Sequence, residues 1–235
     1  SDVILLTIGE QFLESGEGAS KAKLSLPDKQ IRLIKALAQL DKPIIGLLYT
    51  GRPLVLTEIE PYFSSLLLVW YPGTMGGAGI ANLLSGQASP SAKLTMTFPR
   101  SEGQIPIYYA QNTTGRPLNE ENKNTRFVSK YSDESNEPLY AFGTGLTYNQ
   151  VDVKWLENME NLTFTESNQI KLAYQLENLS NETSHAVVHL YMRDMAASIV
   201  QPFRKLVASQ FIKIEPSTKE ELAVTLTKED LSFSD

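Results

Sequence analysis

The sequence predicts an α/β domain with a largely parallel sheet, followed by a small all-β sandwich. Three observations carry this reading. Short, nearly all-apolar runs alternate with helix-period segments in the first part of the chain. Alternating or β-branched runs fill the stretch after residue 148, with no helical segment between them. The piece that connects these regions, residues 101–148, is rich in Gly, Pro, Asn and Tyr and has little regular pattern.

Residues 3–8, 43–49 and 66–70 are apolar runs of the kind buried on both faces in a parallel sheet. Between the first two, residues 28–40 place Ile31, Ile34, Leu37, Ala38 and Leu40 on one stripe, and Pro27 stands where a helix start tolerates it. Residues 54–62 and 76–84 read as shorter helices in the same rhythm. Strand and helix in alternation imply right-handed connections within one sheet. Residues 101–148 read as a strap, because a connection of that length without secondary structure is a functional surface loop or an interdomain segment. Residues 151–156, 169–176, 186–192, 206–214 and 220–226 then read as strands separated by polar turns.

Composition excludes several function classes. A chain of 235 residues with 42% hydrophobic content fills one large core or two modest ones. The net charge of −6 comes from interleaved acidic and basic residues, and no basic stripe with aromatics between argues for nucleic acid. The apolar runs fall far short of the ~20 residues a membrane span needs, and no signal segment opens the sequence. Bacterial cytoplasm, periplasm and secretion all stay open. Cysteine is absent, which rules out a disulfide framework or thiolate metal site. His185 and His189 are four apart, a spacing that suits a metal on a helix, but their β-branched and aromatic neighbours make them strand residues.

The most informative segment is the polar loop Gly9-Glu10-Gln11-Phe12-Leu13-Glu14-Ser15-Gly16-Glu17-Gly18-Ala19-Ser20-Lys21. It leaves the carboxyl end of the first strand, where ligands gather in open α/β sheets, and a carboxylate among small residues there approaches a substrate closely. On spacing alone, Glu10, Glu14 and Glu17 read equally well as a solvated acidic loop.

An ordered series of motifs adds to this. Ser15-Gly16-Glu17-Gly18-Ala19-Ser20, Gly51-Arg52-Pro53-Leu54, Trp70-Tyr71-Pro72-Gly73-Thr74, Gly103-Gln104-Ile105-Pro106-Ile107-Tyr108-Tyr109 and Phe142-Gly143-Thr144-Gly145-Leu146-Thr147-Tyr148 together resemble glycoside hydrolase family three, nearest its bacterial β-glucosidase branch. The stretch from Tyr191 to Phe211, with Asp194, Pro202, Lys205 and Leu206, is similar to the fibronectin type III-like domain appended to those enzymes. The resemblance implies an α/β sandwich domain over residues 1–148, N-terminally incomplete and including the strap 101–148. It also implies a fibronectin type III-like sandwich over 149–235, C-terminally incomplete.

Enzymes of this branch hydrolyse β-glycosides with retention, which needs a nucleophilic carboxylate and a protonated acid about 5 Å apart. Glu17 matches the family's acid/base glutamate, Glu10 reads as a loop anchor, and Glu14 falls where the family varies. The nucleophile is an aspartate on an N-terminal (β/α)₈ barrel in the family, and nothing in this sequence reads as that barrel. The expectation is therefore a C-terminal fragment of a β-glycosidase, inactive alone, that partners the absent barrel and needs no cofactor or metal. The expected substrate is a terminal β-glucoside or oligosaccharide, with xylosides open. Broken domain edges would favour pairing with a second copy. Lys21 stands where the family commonly has arginine, which weakens bidentate anchoring of the loop, and Met75 stands where an acidic or amide residue is usual.

Two other readings compete. Gly73-Thr74-Met75-Gly76-Gly77-Ala78-Gly79 before a helix superficially resembles a phosphate-binding turn, although its spacing departs from the dinucleotide fingerprint. A non-catalytic module that binds carbohydrate or protein would keep the same packing motifs without turnover.

Overall fold

The computed structural model describes residues 2–156 and 169–233. They form two compact units. The first, Ser1–Leu84 with Thr95–Tyr108 and Leu118–Phe142, is built on three parallel strands in the order β1 (Ile4–Gly9), β2 (Ile44–Tyr49), β3 (Ser65–Leu68). Ile4 lies opposite Ile44 and Gly9 opposite Tyr49, while Ile45 to Leu48 face Ser65 to Leu68. The central strand carries the densest apolar run and buries Ile44, Leu47 and Leu48. Helix α1 (Asp28–Ala38) returns the chain from β1 to β2 and buries Ile34 completely. After β3 comes helix α2 (Gly76–Leu84), whose Gly76 and Ile80 are buried.

Residues 54–62 do not form the expected helix. Residues 57–59 turn, with the Ile59 and Glu60 N–H groups both donating to the Leu56 carbonyl, and the one helical segment is a short 3-10 turn, Glu60–Tyr62. Leu54, Leu56 and Ile59 are all buried, at 0%, 1% and 2% exposure, but spacings of two and then three do not lie on one helical face. Before that turn, residues 53–56 are neither helix nor turn, and the Val55 N–H donates to the Leu24 carbonyl at 2.9 Å.

Beyond α2 the first unit is closed by Phe98, which is 2% exposed and backbone-paired with Tyr140. The Tyr140 hydroxyl donates to Glu60 Oε1 at 2.9 Å. Burial, reinforced by that carboxylate, pushes the Tyr140 phenol well above its ordinary pKa. Tyr140→Phe is expected to lower unfolding free energy by about 1 kcal/mol, the usual worth of one such hydrogen bond, read as a reduced urea midpoint.

The second unit holds two antiparallel sheets. One has the order β4 (Val151–Trp155), β5 (Gln169–Asn178), β8 (Lys219–Thr227), and the other pairs β6 (Ser184–Met192) with β7 (Lys205–Ile214). Leu172, Tyr174 and Leu176 recur every second residue along β5 and form a core with Ile214, Val224 and Leu226. The Tyr174 hydroxyl donates to Gln210 Oε1 from within that core. Asn178, 1% exposed, ties the corner by donating to the carbonyls of Glu182 and Glu215 at 2.8 and 3.1 Å. A single-turn helix, α3 (Lys228–Leu231), follows β8. His185 and His189 are strand residues of β6: His185 stacks on Phe211, and His189 meets the Tyr191 ring edge to face.

The strap does not pack as one piece. Residues 109–117 belong to the second unit, where Tyr109 meets the Tyr191 ring and the Gln111 carbonyl accepts from the Phe203 N–H at 2.9 Å. Residues 118–142 belong to the first.

Candidate active site

The carboxyl ends of β1, β2 and β3 present three loops on one side of the first unit's sheet. The first begins at Gly9, whose backbone holds φ +139° and passes so close to β2 that a Cβ would sit 1.7 Å from the Tyr49 carbonyl oxygen. No other residue fits there. Gln30 of α1 fixes the same peptide from the other side, its Oε1 accepting from the Gly9 N–H and its Nε2 donating to the Gly9 carbonyl, both at 2.9 Å.

Glu10, the next residue, is buried and acts as a hub. Its Oε2 accepts from the Thr50 hydroxyl at 2.8 Å and from the Gly51 N–H at 3.2 Å. Its Oε1 lies 3.1 Å from Arg52 Nε and 3.5 Å from Lys21 Nζ. The Arg52 Nε contact is ionic and off the N–H axis, since that N–H has no hydrogen-bond acceptor in line. The same guanidinium extends Nη2 to the Glu14 and Ala19 carbonyls at 2.6 and 2.9 Å. Arg52 thus grips the loop at both ends of its middle section.

Glu14 belongs to the clamp too. It accepts from the Gln11 N–H at 2.8 Å across a short 3-10 turn, Phe12–Glu14, and pairs with Lys21 at 3.2 Å. That backbone N–H, with Lys21 beside it, holds the Glu14 carboxyl below its ordinary pKa. Lys21 reaches both carboxylates from the position where arginine was expected, as a point charge and not as a fork.

Glu17 is the exception among the three. It is exposed and makes no hydrogen bond or ion pair among the described residues. It occupies a turn closed by the Ala19 N–H donating to the Gly16 carbonyl at 3.2 Å, with Gly18 at φ +72° in the position where a type II turn demands glycine. Gly16 takes φ +122° just before it. Nothing lies within 4 Å of where either glycine's Cβ would be, so the backbone conformation and not crowding selects these glycines. The arrangement presents one free carboxylate at the tip of a loop whose two other carboxylates are consumed in holding it.

The series of motifs agrees with direct comparison. The sequence model of the glycosyl hydrolase family 3 C-terminal domain matches residues 1–148, and that of a fibronectin type III-like domain matches residues 186–235. The chain belongs to glycosyl hydrolase family 3. It is 34% identical over 233 residues to a periplasmic beta-glucosidase of Salmonella typhimurium, an alignment that takes in 99% of this chain and 30% of that protein. A beta-xylosidase of Formosa agariphila is 30% identical over 233 residues, covering 99% of this chain and 31% of the other. The solved beta-glucosidase of Listeria innocua in complex with isofagomine superposes with a TM-score of 0.95 at 37% identity, over 100% of this chain and 32% of that one. This family 3 chain therefore spans about a third of the length of the relatives it matches.

Sequence reasoning singled out Glu17 and read Glu10 as an anchor, which is how Glu10 is placed. It missed Thr50 and Gln30, lone polar residues that carry no periodic signal. Arg52 was visible only as a member of a motif, without its grip on the loop. Among the described residues no cluster of three metal-ligating side chains occurs, and no helix is long and apolar enough to cross a membrane.

Proposed function

We propose that this chain is the acid/base-bearing part of a retaining β-glycosidase that acts on terminal β-glucosides. One observation carries the reading: Glu17 alone among the loop carboxylates is uncommitted, at the tip of a clamped turn on the carboxyl side of a parallel sheet. In this reading Glu17 gives its proton to the glycosidic oxygen as the leaving group departs. It then takes a proton from the water that releases the sugar from the enzyme. The nucleophilic carboxylate stands about 5 Å away on an N-terminal barrel carried by the whole protein.

Glucose is favoured as the glycone because β-glucosidases recur among the relatives, one of them a structure of the Listeria innocua enzyme in complex with glucose. The periplasmic relative makes the periplasm the compartment of choice. The test is to incubate the full-length protein with an aryl β-glucoside and follow the first-formed sugar by proton NMR. Turnover with initial β-glucose supports the reading. Binding without turnover would make the chain part of a carbohydrate-binding scaffold, and initial α-glucose would rule out a retaining mechanism.

A further inference from the structure

The loop after β3 carries an aromatic side chain that packing does not explain. Tyr71 is 50% exposed, and its hydroxyl makes no hydrogen bond among the described residues. Isolated exposed tyrosines are ordinary. This one is held on both sides.

Trp70, immediately before it, has φ +49°, a left-handed conformation that a bulky L-residue adopts only when its surroundings impose it. The Trp70 ring lies 6.2 Å from that of buried Phe98, which fixes the residue from which Tyr71 departs. Pro72, immediately after, packs on Gly76 at the start of α2, where a Cβ would be 2.5 Å from Pro72 Cγ. The backbone is thus bent out of line with β3 at one residue and pinned at the other.

The bend brings Tyr71 to the loop that bears Glu17. A Cβ on Gly51 would lie 2.0 Å from Ser15 Oγ and 3.0 Å from Tyr71 Cε2, so Ser15 and Tyr71 close on the same bare glycine backbone. Ser15 is two residues before Glu17. An edge of the tyrosine ring is therefore seated against Gly51, beside the root of the Glu17 turn, while half of the side chain stays open to solvent.

We propose that Tyr71 is a leaving-group recognition residue, a platform for the sugar ring that departs when the glycosidic bond breaks. This rests on the reading of Glu17 as the acid. A general acid meets the leaving oxygen, so a side chain anchored beside its loop faces the leaving group and not the sugar that is retained. An aromatic face suits the apolar C–H face of a pyranose. The ligand class is a saccharide leaving group, as in a β-linked disaccharide. A group without a ring gains nothing from Tyr71.

The experiment compares full-length wild type, Tyr71→Ala and Tyr71→Phe on two substrates. One is a β-linked glucose disaccharide; the other is β-glucosyl fluoride, whose leaving group is a single atom. Tyr71→Ala is expected to lower kcat/KM on the disaccharide about 10-fold, chiefly through KM, and to leave the fluoride within about 2-fold of wild type, with Tyr71→Phe near wild type on both. An equal loss on both substrates would assign Tyr71 a purely structural role and overturn the proposal. So would an unchanged KM on the disaccharide, and a Phe variant as weak as Ala would overturn the stacking platform. No turnover of either substrate by the wild type would overturn the glycosidase reading itself, and this proposal with it.

Discussion

Glu17→Gln in the full-length enzyme is expected to lower kcat for alkyl and saccharide β-glucosides by about 10² to 10⁴, the usual contribution of general acid catalysis. The amide keeps the shape of the side chain and has no proton to give. Activated aryl glucosides, whose leaving groups need no protonation, should form the glycosyl-enzyme almost normally and then stall, because no base remains to activate water. Azide needs no such base, so adding it should restore turnover of the aryl substrate and yield a β-glucosyl azide. The variant should fold as wild type does, since Glu17 touches nothing it would have to release among the described residues. Equal loss of kcat/KM, which reports formation of the glycosyl-enzyme, on aryl and alkyl substrates, or no rescue, would transfer the acid role to another residue.

Glu10→Ala is expected to have the largest effect on stability. Its side chain is fully buried against the 21% and 20% exposed side chains of Arg52 and Lys21, and it also accepts from Thr50 and Gly51. Removal of one partner of a buried ion pair leaves the other charge uncompensated, at a cost of 3–5 kcal/mol when both are dry. Because both cations keep some access to water, about 2–3 kcal/mol is expected here, read from urea unfolding. Glu10→Gln should cost less, since its carbonyl still serves Thr50 and Gly51. Loss of the anchor should also reach the chemistry. Arg52 no longer holds the loop in one place, so acid-dependent substrates should suffer more than aryl ones, whereas an unchanged unfolding midpoint would show that the clamp is not maintained by Glu10.

Much of this was legible in the sequence because the relevant forces are local and periodic. Runs buried on both faces mark parallel strands, and β1, β2 and β3 fall where the apolar runs do. The stripe around Ile34 is one face of a helix, and α1 ends two residues short of Leu40, which is exposed. Residues 54–62 misled because burial of Leu54, Leu56 and Ile59 mimics an apolar stripe although residues 53–56 are neither helix nor turn and the chain turns only after them. Contacts over long separations left no trace. The partners of Glu10 lie up to 42 residues away in sequence at Arg52, and the left-handed Trp70 is set by tertiary packing against Phe98. Glu17 could be named from its glycine neighbours and motif, but that it has no partner among the described residues is visible only in three dimensions.

The grip of Gln30 on Gly9 has a consequence for solubility. Strand β1 stands at one side of the sheet order β1-β2-β3, and Gly9 directs both its N–H and its carbonyl to Gln30. A primary amide offers one donor and one acceptor in the spacing of a peptide group. Gln30 therefore behaves as a single rung of an absent neighbouring strand, supplied by a helix. An incoming strand from another molecule, zipping along the edge of β1 that pairs with no strand among the described residues, would have to expel that amide before it reached the Glu17 loop. The side chain acts as a stopper between that strand edge and the loop, whose shape would be lost if it became a strand.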